Sequence, residues 1–268
     1  MTATIHPTAI VDAAAELGKG VQVGPYCMIG PHVKIGDGTR LVGHVNLSGR
    51  TTIGADCLIY PQVSMGFPPQ DFKHGGSDTV SIRIGDRCTF REMVTVHPGT
   101  DVGKPDTVIG DDGYFMVGSH IAHECRIGDH VTLSNYAQVG GNVSIGDYVT
   151  LGGVSAIHQH TRIGSYAFVA GMALVTNDVI PYGLVMGNAA HLQGLNIVGL
   201  KRRGFDRNAI HRLRAAYRQL FAYEGTLAER IEDAVRLYED EPLVMEIVDF
   251  IQTQSNGRNL TMPDHRRQ

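Results

Sequence analysis

The sequence predicts a mainly β fold, a parallel β-helix followed by a small α-helical domain. Aliphatic residues recur at every sixth position over long stretches, the 268 residues include 33 glycines, and there is no tryptophan. A period of six matches neither an α-helix nor a simple strand, and it is typical of hexapeptide repeats that each form one short strand and a turn. Three such units close one triangular coil of roughly 18 residues.

The repeat comes in three runs. The first comprises Leu17, Val23, Ile29, Ile35, Leu41, Leu47, Ile53, Ile59 and Met65. The longest comprises Ile109, Phe115, Ile121, Ile127, Leu133, Val139, Ile145, Leu151, Ile157, Ile163, Val169 and Val175, and a short run of Ile84, Phe90 and Val96 lies between them. We expect these residues to fill the interior, with the glycine that often follows each one at a sharp turn of the backbone.

The four cysteines share one place in the repeat. Each lies four residues after an aliphatic residue, and they are Cys27, Cys57, Cys88 and Cys125. They are too few and too scattered for a disulfide framework or a CxxC zinc site, so we expect buried, reduced side chains that fill the interior. The N-terminus shows no secretory signal pattern and no apolar run is long enough for a membrane span, which predicts a cytoplasmic protein without stable membrane insertion.

Two interruptions of the repeat predict loops. The stretch "GFPPQDFKHGGSD" and the stretch "HPGTDVGKPD" each add residues where six would suffice, so we expect loops at 66–80 and 97–108. Loops inserted into a rigid solenoid are often functional, although a tolerated insertion would look the same.

The C-terminal part changes to a helical period. Beyond Pro181 the repeat fades, and one face of a predicted helix carries Ile210, Leu213, Tyr217, Leu220 and Phe221. Further helices are predicted at about 226–238 and 242–254. The domains are therefore expected at 1–195 and 196–268. Residues 201–218 carry seven Lys/Arg and one acidic residue, so they form either a helix-pairing face or a basic face for an acidic partner.

Stacking by 18 places a polar strip at one position of the coil. Strands of adjacent coils lie about 4.8 Å apart. The resulting columns are His123 with Gly141 and Gln159, Glu124 with Asn142 and His160, and Ala122 with Gly140 and His158.

This strip contains the functional groups that acyl transfer requires. A histidine can act as a general base near neutral pH, an adjacent carboxylate can orient it, and a bare glycine amide can stabilise an oxyanion. A solvated polar surface is the plain alternative. A histidine zinc site is the other, but His123 and His158 lie nearly two coils apart, so only an intersubunit arrangement would bring them to one ion. We expect no metal and no cofactor.

Six stretches carry a resemblance to a known family. They are "HPTAIVD", "VGPYCMIGPHVKIGDGT", "IGDRCTFREMVTVHPGT", "HIAHECRIGDHVTLSN", "GGVSAIHQHTRIG" and "GLNIVGLKRRGF". Together they resemble the bacterial acyl-carrier-protein:UDP-N-acetylglucosamine O-acyltransferases of lipid A synthesis, over nearly the whole chain. The most specific among them are "HIAHEC", "AIHQ" and "KRRGF".

The resemblance implies a left-handed β-helix that assembles as a homotrimer, with active sites between neighbouring subunits. It makes His123 the general base, Glu124 the residue that holds it, and Gly141 the oxyanion donor. It implies that the nucleotide sugar, a UDP-GlcNAc-type compound, contacts a further set of residues: Gln70, Asp71, Lys73, His120, Asn142, His158, Gln159, Asn196, Arg202 and Arg203.

The resemblance also implies the acyl donor. Acyl carrier protein would meet the basic stretch 201–218, and the acyl chain would be measured by Phe168, Gly171 and Met172. Glycine at the terminal ruler position usually accompanies a longer 3-hydroxyacyl chain, although Phe168 would close the groove earlier. No nucleic-acid partner is expected.

Three residues depart from the family pattern. Glu124 stands where the family generally has aspartate, Asn142 where it has histidine, and Val198 where it usually has an acidic residue. The alternatives are N-acyl transfer to a 3-amino analogue of UDP-GlcNAc, another nucleotide sugar, an acyl-CoA donor, or a non-catalytic scaffold.

Overall fold

A computed structural model describes residues 2–253 and 257–264. The larger part is a three-faced parallel β-helix, as predicted. Residue 1, which the predicted first domain includes, and residues 254–256 and 265–268 of the predicted second domain lie outside the described part.

Short strands build the three faces, because each strand up to β26 pairs with strands three places away along the chain, and only β27 and β28 at the end of face A break this rule among the described residues. Face A contains β1 (Thr4–Ile5), β4 (Gln22–Val23), β7 (Arg40–Leu41), β10 (Leu58–Ile59), β13 (Thr89–Phe90), β16 (Tyr114–Phe115), β19 (Thr132–Leu133), β22 (Thr150–Leu151), β25 (Phe168–Val169), β27 (Gly183–Met186) and β28 (His191–Leu195). Face B contains β2 (Ile10–Val11), β5 (Met28–Ile29), β8 (Asn46–Leu47), β11 (Ser64–Met65), β14 (Thr95–Val96), β17 (His120–Ile121), β20 (Gln138–Val139), β23 (Ala156–Ile157) and β26 (Leu174–Val175). Face C contains β3 (Glu16–Leu17), β6 (Lys34–Ile35), β9 (Arg50–Ile53), β12 (Ser81–Ile84), β15 (Asp106–Ile109), β18 (Arg126–Ile127), β21 (Ser144–Ile145) and β24 (Arg162–Ile163).

The interior follows the six-residue repeat. From Val23 to Val175 the residue that ends each strand is buried and the one before it faces outward. All four cysteines are buried and free, in agreement with the prediction. Phe90 and Phe115 stack inside the helix with ring centroids 4.6 Å apart.

The reason for the repeated glycines differs from the expectation. Left-handed backbone occurs three residues after the aliphatic residue, for example at Tyr148, with φ of 59°. The glycine that directly follows the aliphatic residue instead lies close to the next coil. The glycine does begin the turn, as at Gly36, whose carbonyl accepts the N–H of Thr39 at 3.4 Å. A Cβ at Gly128 would lie 2.9 Å from the backbone nitrogen of Asp147, so close packing between coils, and not a left-handed backbone, requires the glycine.

Two loops leave the solenoid. The first occupies 66–80, between β11 and β12, as expected. The second is shorter than the predicted 97–108, because residues 106–108 already pair with β12 as the start of β15. It occupies 97–105, and we call it the 97–105 loop.

The C-terminal helices are α1 (Ile197–Arg202), α2 (Arg207–Leu220), α3 (Leu227–Tyr238) and α4 (Pro242–Gln252). Ile210, Leu213 and Leu220 are buried along α2, as the period predicts. Thr226 and Glu229 form a capping box at the start of α3. The proposed domain boundary at 195/196 falls between β28 and α1. Among the described residues, no helix combines the length and apolar character needed to cross a bilayer.

The sequence did not predict how the solenoid ends. β28 runs antiparallel to β27 and closes face A. The chain then returns after α4, where Asp178 accepts a backbone hydrogen bond from Thr261 at 2.8 Å. These contacts attach the helices to the last coil, together with Arg162, whose guanidinium lies over the ring of Phe250.

Candidate active site

A turn between face B and face C carries the predicted catalytic histidine. β17 ends at buried Ile121, β18 begins at Arg126, and residues 122–125 form the corner between them. Glu124 has a φ of 64°, the left-handed conformation that this corner requires. The corner therefore directs His123 and Glu124 away from the interior, although neighbouring loops cover Glu124, which is only 6% exposed.

The ring of His123 lies against Gly141 of the next coil. A Cβ added at Gly141 would lie 2.5 Å from both Cε1 and Nε2 of His123, so only glycine leaves room for the ring. The backbone carbonyl of His123 accepts the N–H of Asn142 at 2.8 Å. The N–H of Gly141 donates to no acceptor within the described residues. The structure thus brings together the imidazole and the open amide that the column pattern placed side by side.

Two carboxylates flank the imidazole. His123 Nδ1 lies 3.8 Å from Glu124 Oε2, and His123 Nε2 lies 3.9 Å from Asp71 Oδ2. Both distances exceed a hydrogen bond. Nδ1 is buried and has no hydrogen-bond partner in the described part of the chain. The ring is therefore surrounded by negative charge without being fixed by it.

Glu124 is anchored by the 97–105 loop. Its Oε1 accepts a hydrogen bond from the hydroxyl of Thr100 and another from the backbone N–H of Lys104, at 3.1 Å. A methyl group at Gly103 would collide with the same oxygen. The carboxylate that the resemblance assigns to holding His123 is thus held by the loop, beside the histidine.

Further histidines line the corner. His120 Nδ1 lies 2.7 Å from the hydroxyl of Thr95, and the ring of His97 meets that of His120 edge-on at 5.0 Å. Burial, together with smaller contributions from the neighbouring His97 and His123, lowers the pKa of His120 to about 4. Burial also lowers the pKa of His97. His120 and His97 are consequently neutral at neutral pH.

The first loop covers the histidine corner. Asp71 turns toward His123, whereas Gln70 and Lys73 are exposed. The backbone N–H of Gly75 donates to the carboxylate of Asp101 at 3.0 Å, which ties the first loop to the 97–105 loop. The two inserted loops therefore form one wall beside the imidazole.

The remaining predicted residues on this strip have partners that sequence reasoning missed. Asn142 Oδ1 accepts a hydrogen bond from Lys104 Nζ at 2.8 Å. His158 Nδ1 lies 2.6 Å from the terminal guanidinium nitrogen Nη2 of Arg258. A second nitrogen of Arg258, Nε, donates to the carbonyl of Gln159 at 3.0 Å. His158 and Gln159 are exposed.

A second group of predicted residues lies elsewhere. A cleft of about 570 Å³ at the end of face A is lined by Tyr148, Thr150, Phe168, Leu184, Leu195, Asn196, Ile197, Val198, Gly199, Arg202 and Arg203. His123 and its neighbours do not belong to this lining. The structure therefore separates the residues predicted to bind the nucleotide sugar into two groups, the histidine corner around His123 and the arginine cleft at face A.

Two side chains of the cleft are already engaged. Asn196 caps α1 by accepting the N–H of Gly199 at 3.1 Å, and its amide donates to the carbonyl of Tyr166 at 2.9 Å. The guanidinium of Arg203 lies 4.5 Å from the ring centre of Tyr148. Arg202 and Arg203 are exposed on the rim, where an anion could reach them.

The three residues predicted to measure the acyl chain lie on face A and at its corner with face B. Phe168 lines the arginine cleft, while Gly171 and Met172 are exposed on the next turn. A Cβ at Gly171 would lie 3.2 Å from the carbonyl of Gly153. Within the described residues, no group of three or more His, Cys, Asp or Glu side chains is arranged to hold a metal ion.

Comparison with known proteins identifies the family. Residues 178–260 match the family model described as UDP N-acetylglucosamine O-acyltransferase, domain 2, and residues 14–49 match that of the bacterial transferase hexapeptide repeats. The acyl-[acyl-carrier-protein]–UDP-N-acetylglucosamine O-acyltransferase of Caulobacter vibrioides is 56% identical over 261 residues, which is 97% of this chain and 98% of that protein. The chain belongs to the UDP-N-acetylglucosamine O-acyltransferase family.

Other family members agree along nearly the full length. The enzyme of the same name from Mesorhizobium japonicum is 45% identical, over 97% of this chain and 92% of that protein. The crystal structure of the Francisella novicida UDP-N-acetylglucosamine acyltransferase superposes with a TM-score of 0.93 at 33% identity, covering 98% of this chain and 95% of that one. The predicted fold class, a left-handed β-helix with a small C-terminal helical part, is confirmed.

Proposed function

We propose that this protein transfers a 3-hydroxyacyl chain from acyl carrier protein to the 3-hydroxyl of UDP-N-acetylglucosamine, the first step of lipid A synthesis. Near full-length relatives bear the name of this activity. The observation that carries the proposal for this chain is the contact between the His123 ring and Gly141. The four free cysteines suit a reducing compartment, and we propose the cytoplasm.

In this mechanism His123 takes the proton of the sugar hydroxyl as the oxygen attacks the thioester carbonyl. The N–H of Gly141 stabilises the oxyanion that forms. The carbon–sulfur bond then breaks, and the imidazolium returns its proton to the departing thiolate. Glu124 and Asp71 stabilise the positive charge that the ring carries between these two proton transfers.

The proposal includes a homotrimer. Its support is the separation of the predicted residues, since the histidine corner lies between faces B and C whereas the arginine cleft lies at face A. A neighbouring copy would supply the cleft that faces each His123. Arg202 and Arg203 would then bind the diphosphate, Val198 would face the nucleotide, and Phe168, Gly171 and Met172 would line the path of the acyl chain.

The test is a transfer assay with purified protein, several acyl carrier protein thioesters and UDP-GlcNAc. Substituting His123→Ala should lower turnover by about 100- to 10,000-fold, because the general base is lost. His32→Ala, on an exposed turn far along the solenoid, is the matched control. Retained turnover in the His123 variant would remove the base assignment.

The same assay separates the alternatives. Transfer to the 3-amino analogue without transfer to UDP-GlcNAc would replace the proposed O-acyl reaction by an N-acyl reaction. Transfer from acyl-CoA alone would replace the carrier protein as donor. Absence of any transfer by the wild-type protein would favour a scaffold role.

A further inference from the structure

Lys104 connects two positions of the candidate site on adjacent coils. Its backbone N–H donates to Glu124 Oε1 at 3.1 Å, and its side chain donates to Asn142 Oδ1 at 2.8 Å. Asn142 lies one coil along from Glu124, next to the glycine that contacts His123. One residue of the 97–105 loop therefore contacts both the carboxylate beside the imidazole and the side-chain amide of the residue that follows Gly141.

Hydrogen bonds hold the backbone of Lys104 in place, and its side chain extends from this fixed position. The hydroxyl of Thr100 and the N–H of Lys104 share the same oxygen of Glu124, and Thr100 also donates its backbone N–H to the carbonyl of Lys104 at 2.9 Å. Gly103 permits this close approach because any side chain there would collide with Glu124. The ammonium group thus starts from a fixed backbone position.

The contact with Lys104 fixes which way the Asn142 amide faces. An ammonium group has hydrogen-bond donors only, so the atom it meets must be the amide oxygen. The amide nitrogen then points away from Lys104, and it has no acceptor within the described residues. Asn142 is only half-buried, so a ligand beside Gly141 could meet its side chain.

We propose that Lys104 is a positioning residue that holds Asn142 as a hydrogen-bond donor to an oxygen of the nucleotide sugar, and so helps to determine which sugar is bound. This inference rests on the proposed function. The family pattern has a histidine at the place of Asn142, and a neutral histidine offers one donor and one acceptor. In this chain the lysine leaves the amide able only to donate toward the sugar.

The test compares Lys104→Met, which keeps the length of the side chain but removes its donors, with Lys104→Arg, which keeps donors. We expect the methionine variant to raise the KM for UDP-GlcNAc about tenfold, the effect of losing one substrate hydrogen bond. Turnover number and the KM for the acyl donor should change less than about twofold. The arginine variant should recover most of the affinity, and Lys19→Met, an exposed site, is the matched control.

A double variant separates positioning from direct binding. Asn142→Ala alone should raise the KM about tenfold, and adding Lys104→Met should raise it little further, because the lysine acts through the asparagine. A KM raised about a hundredfold in the double variant would overturn the proposal, since independent contributions multiply. An unchanged KM in Lys104→Met, with the melting temperature retained, would also overturn it.

Calorimetric binding of UDP-GlcNAc keeps this test independent of transfer. If wild-type protein binds UDP-GlcNAc but transfers nothing, the proposed function fails while the Kd values of the same variants still decide the role of Lys104. If wild-type protein transfers normally and the Kd of Lys104→Met is unchanged, only the role of Lys104 fails.

Discussion

The environment of the His123 ring consists of close neighbours that do not form hydrogen bonds with it. Each ring nitrogen lies nearly 4 Å from a carboxylate, and the ring rests on the bare Cα of Gly141. This arrangement would suit the proposed role of the imidazole, which must take and return a proton. The position of the ring therefore depends on Gly141 more than on a hydrogen bond.

Gly141→Ala tests that dependence. The added methyl group would overlap the flexible histidine ring and push it aside, with little effect on the backbone. We expect the turnover number to fall about 100-fold, as displacement of a catalytic group by about 1 Å can cause. Steady-state kinetics and the melting temperature measure the two effects separately.

Gly153→Ala is the control for this prediction. Its Cβ would lie 3.4 Å from the carbonyl of Asn135, an ordinary contact. If the Gly141 and Gly153 variants lost activity equally, the specific contact with His123 would not explain the effect.

Sequence predicted part of this site. The offset between adjacent coils is constant at 18 residues in this region, so the pairing of His123 with Gly141 could be derived by counting. The sequence did not predict that His97 lies beside His120, because the 97–105 loop changes the offset between coils to 25, as between Thr95 and His120. The contacts of Lys104 and Arg258 were not predicted either. Those of Lys104 depend on the path of the 97–105 loop, and those of Arg258 depend on the return of the chain after α4.

At the scale of the strand and turn, a column of aspartates joins successive coils. Each carboxylate accepts the backbone N–H of the preceding coil at 2.7 to 2.8 Å. The column comprises Asp37, Asp86, Asp111, Asp129 and Asp147. These side chains satisfy N–H groups that the corners leave without a strand partner.

Asp129→Ala removes one of these acceptors. We expect the free energy of unfolding to fall by about 1 kcal/mol, because the N–H of Asp111 loses its partner at a corner that is open to water. Asp129→Asn keeps an oxygen acceptor and should cost less. Urea unfolding at fixed protein concentration measures both.

Asp233→Ala is the comparison for this column. Asp233 pairs with Arg236 on the exposed side of α3, and such pairs contribute little. A loss as large in Asp129→Asn as in Asp129→Ala would show that the accepted hydrogen bond is not the source of the stability.

The repeat also predicted most strands, whereas the elements at the end of the solenoid could not be derived from it. A period of six identifies interior residues because every coil buries the same position. The antiparallel hairpin of β27 and β28 and the bridge between Asp178 and Leu260 join residues that share no period. Their pairing is set by packing against the last coil.

For the whole molecule, the main consequence of the fold is the separation of the histidine corner from the arginine cleft. A rigid solenoid cannot bend to bring face A to the corner between faces B and C of the same chain. The proposed trimer solves this by placing the cleft of one copy opposite the corner of another. Two inactive variants should then complement each other.

Mixed trimers of His123→Ala and Arg203→Ala test this arrangement. Each variant alone should have little activity, but random mixing in equal amounts should give about one quarter of the sites both intact residues. Co-expression with two affinity tags, followed by the transfer assay, measures the recovered activity. Recovery no greater than the mean of the separate variants would contradict a shared site.

Within the described residues, the two ends of the solenoid differ in how they are covered. The hairpin and helices cover the last coil, whereas the first coil leaves Ile5 45% and Ile10 65% exposed. β1, β2 and β3 pair on one side only, as do β28, β26 and β24 at the other end of the three faces, but the amino-terminal coil has no helix packed over it in the described part of the chain. We therefore expect fraying to start at the amino-terminal coil and to travel toward the carboxyl end, so that the coils carrying the candidate site open later.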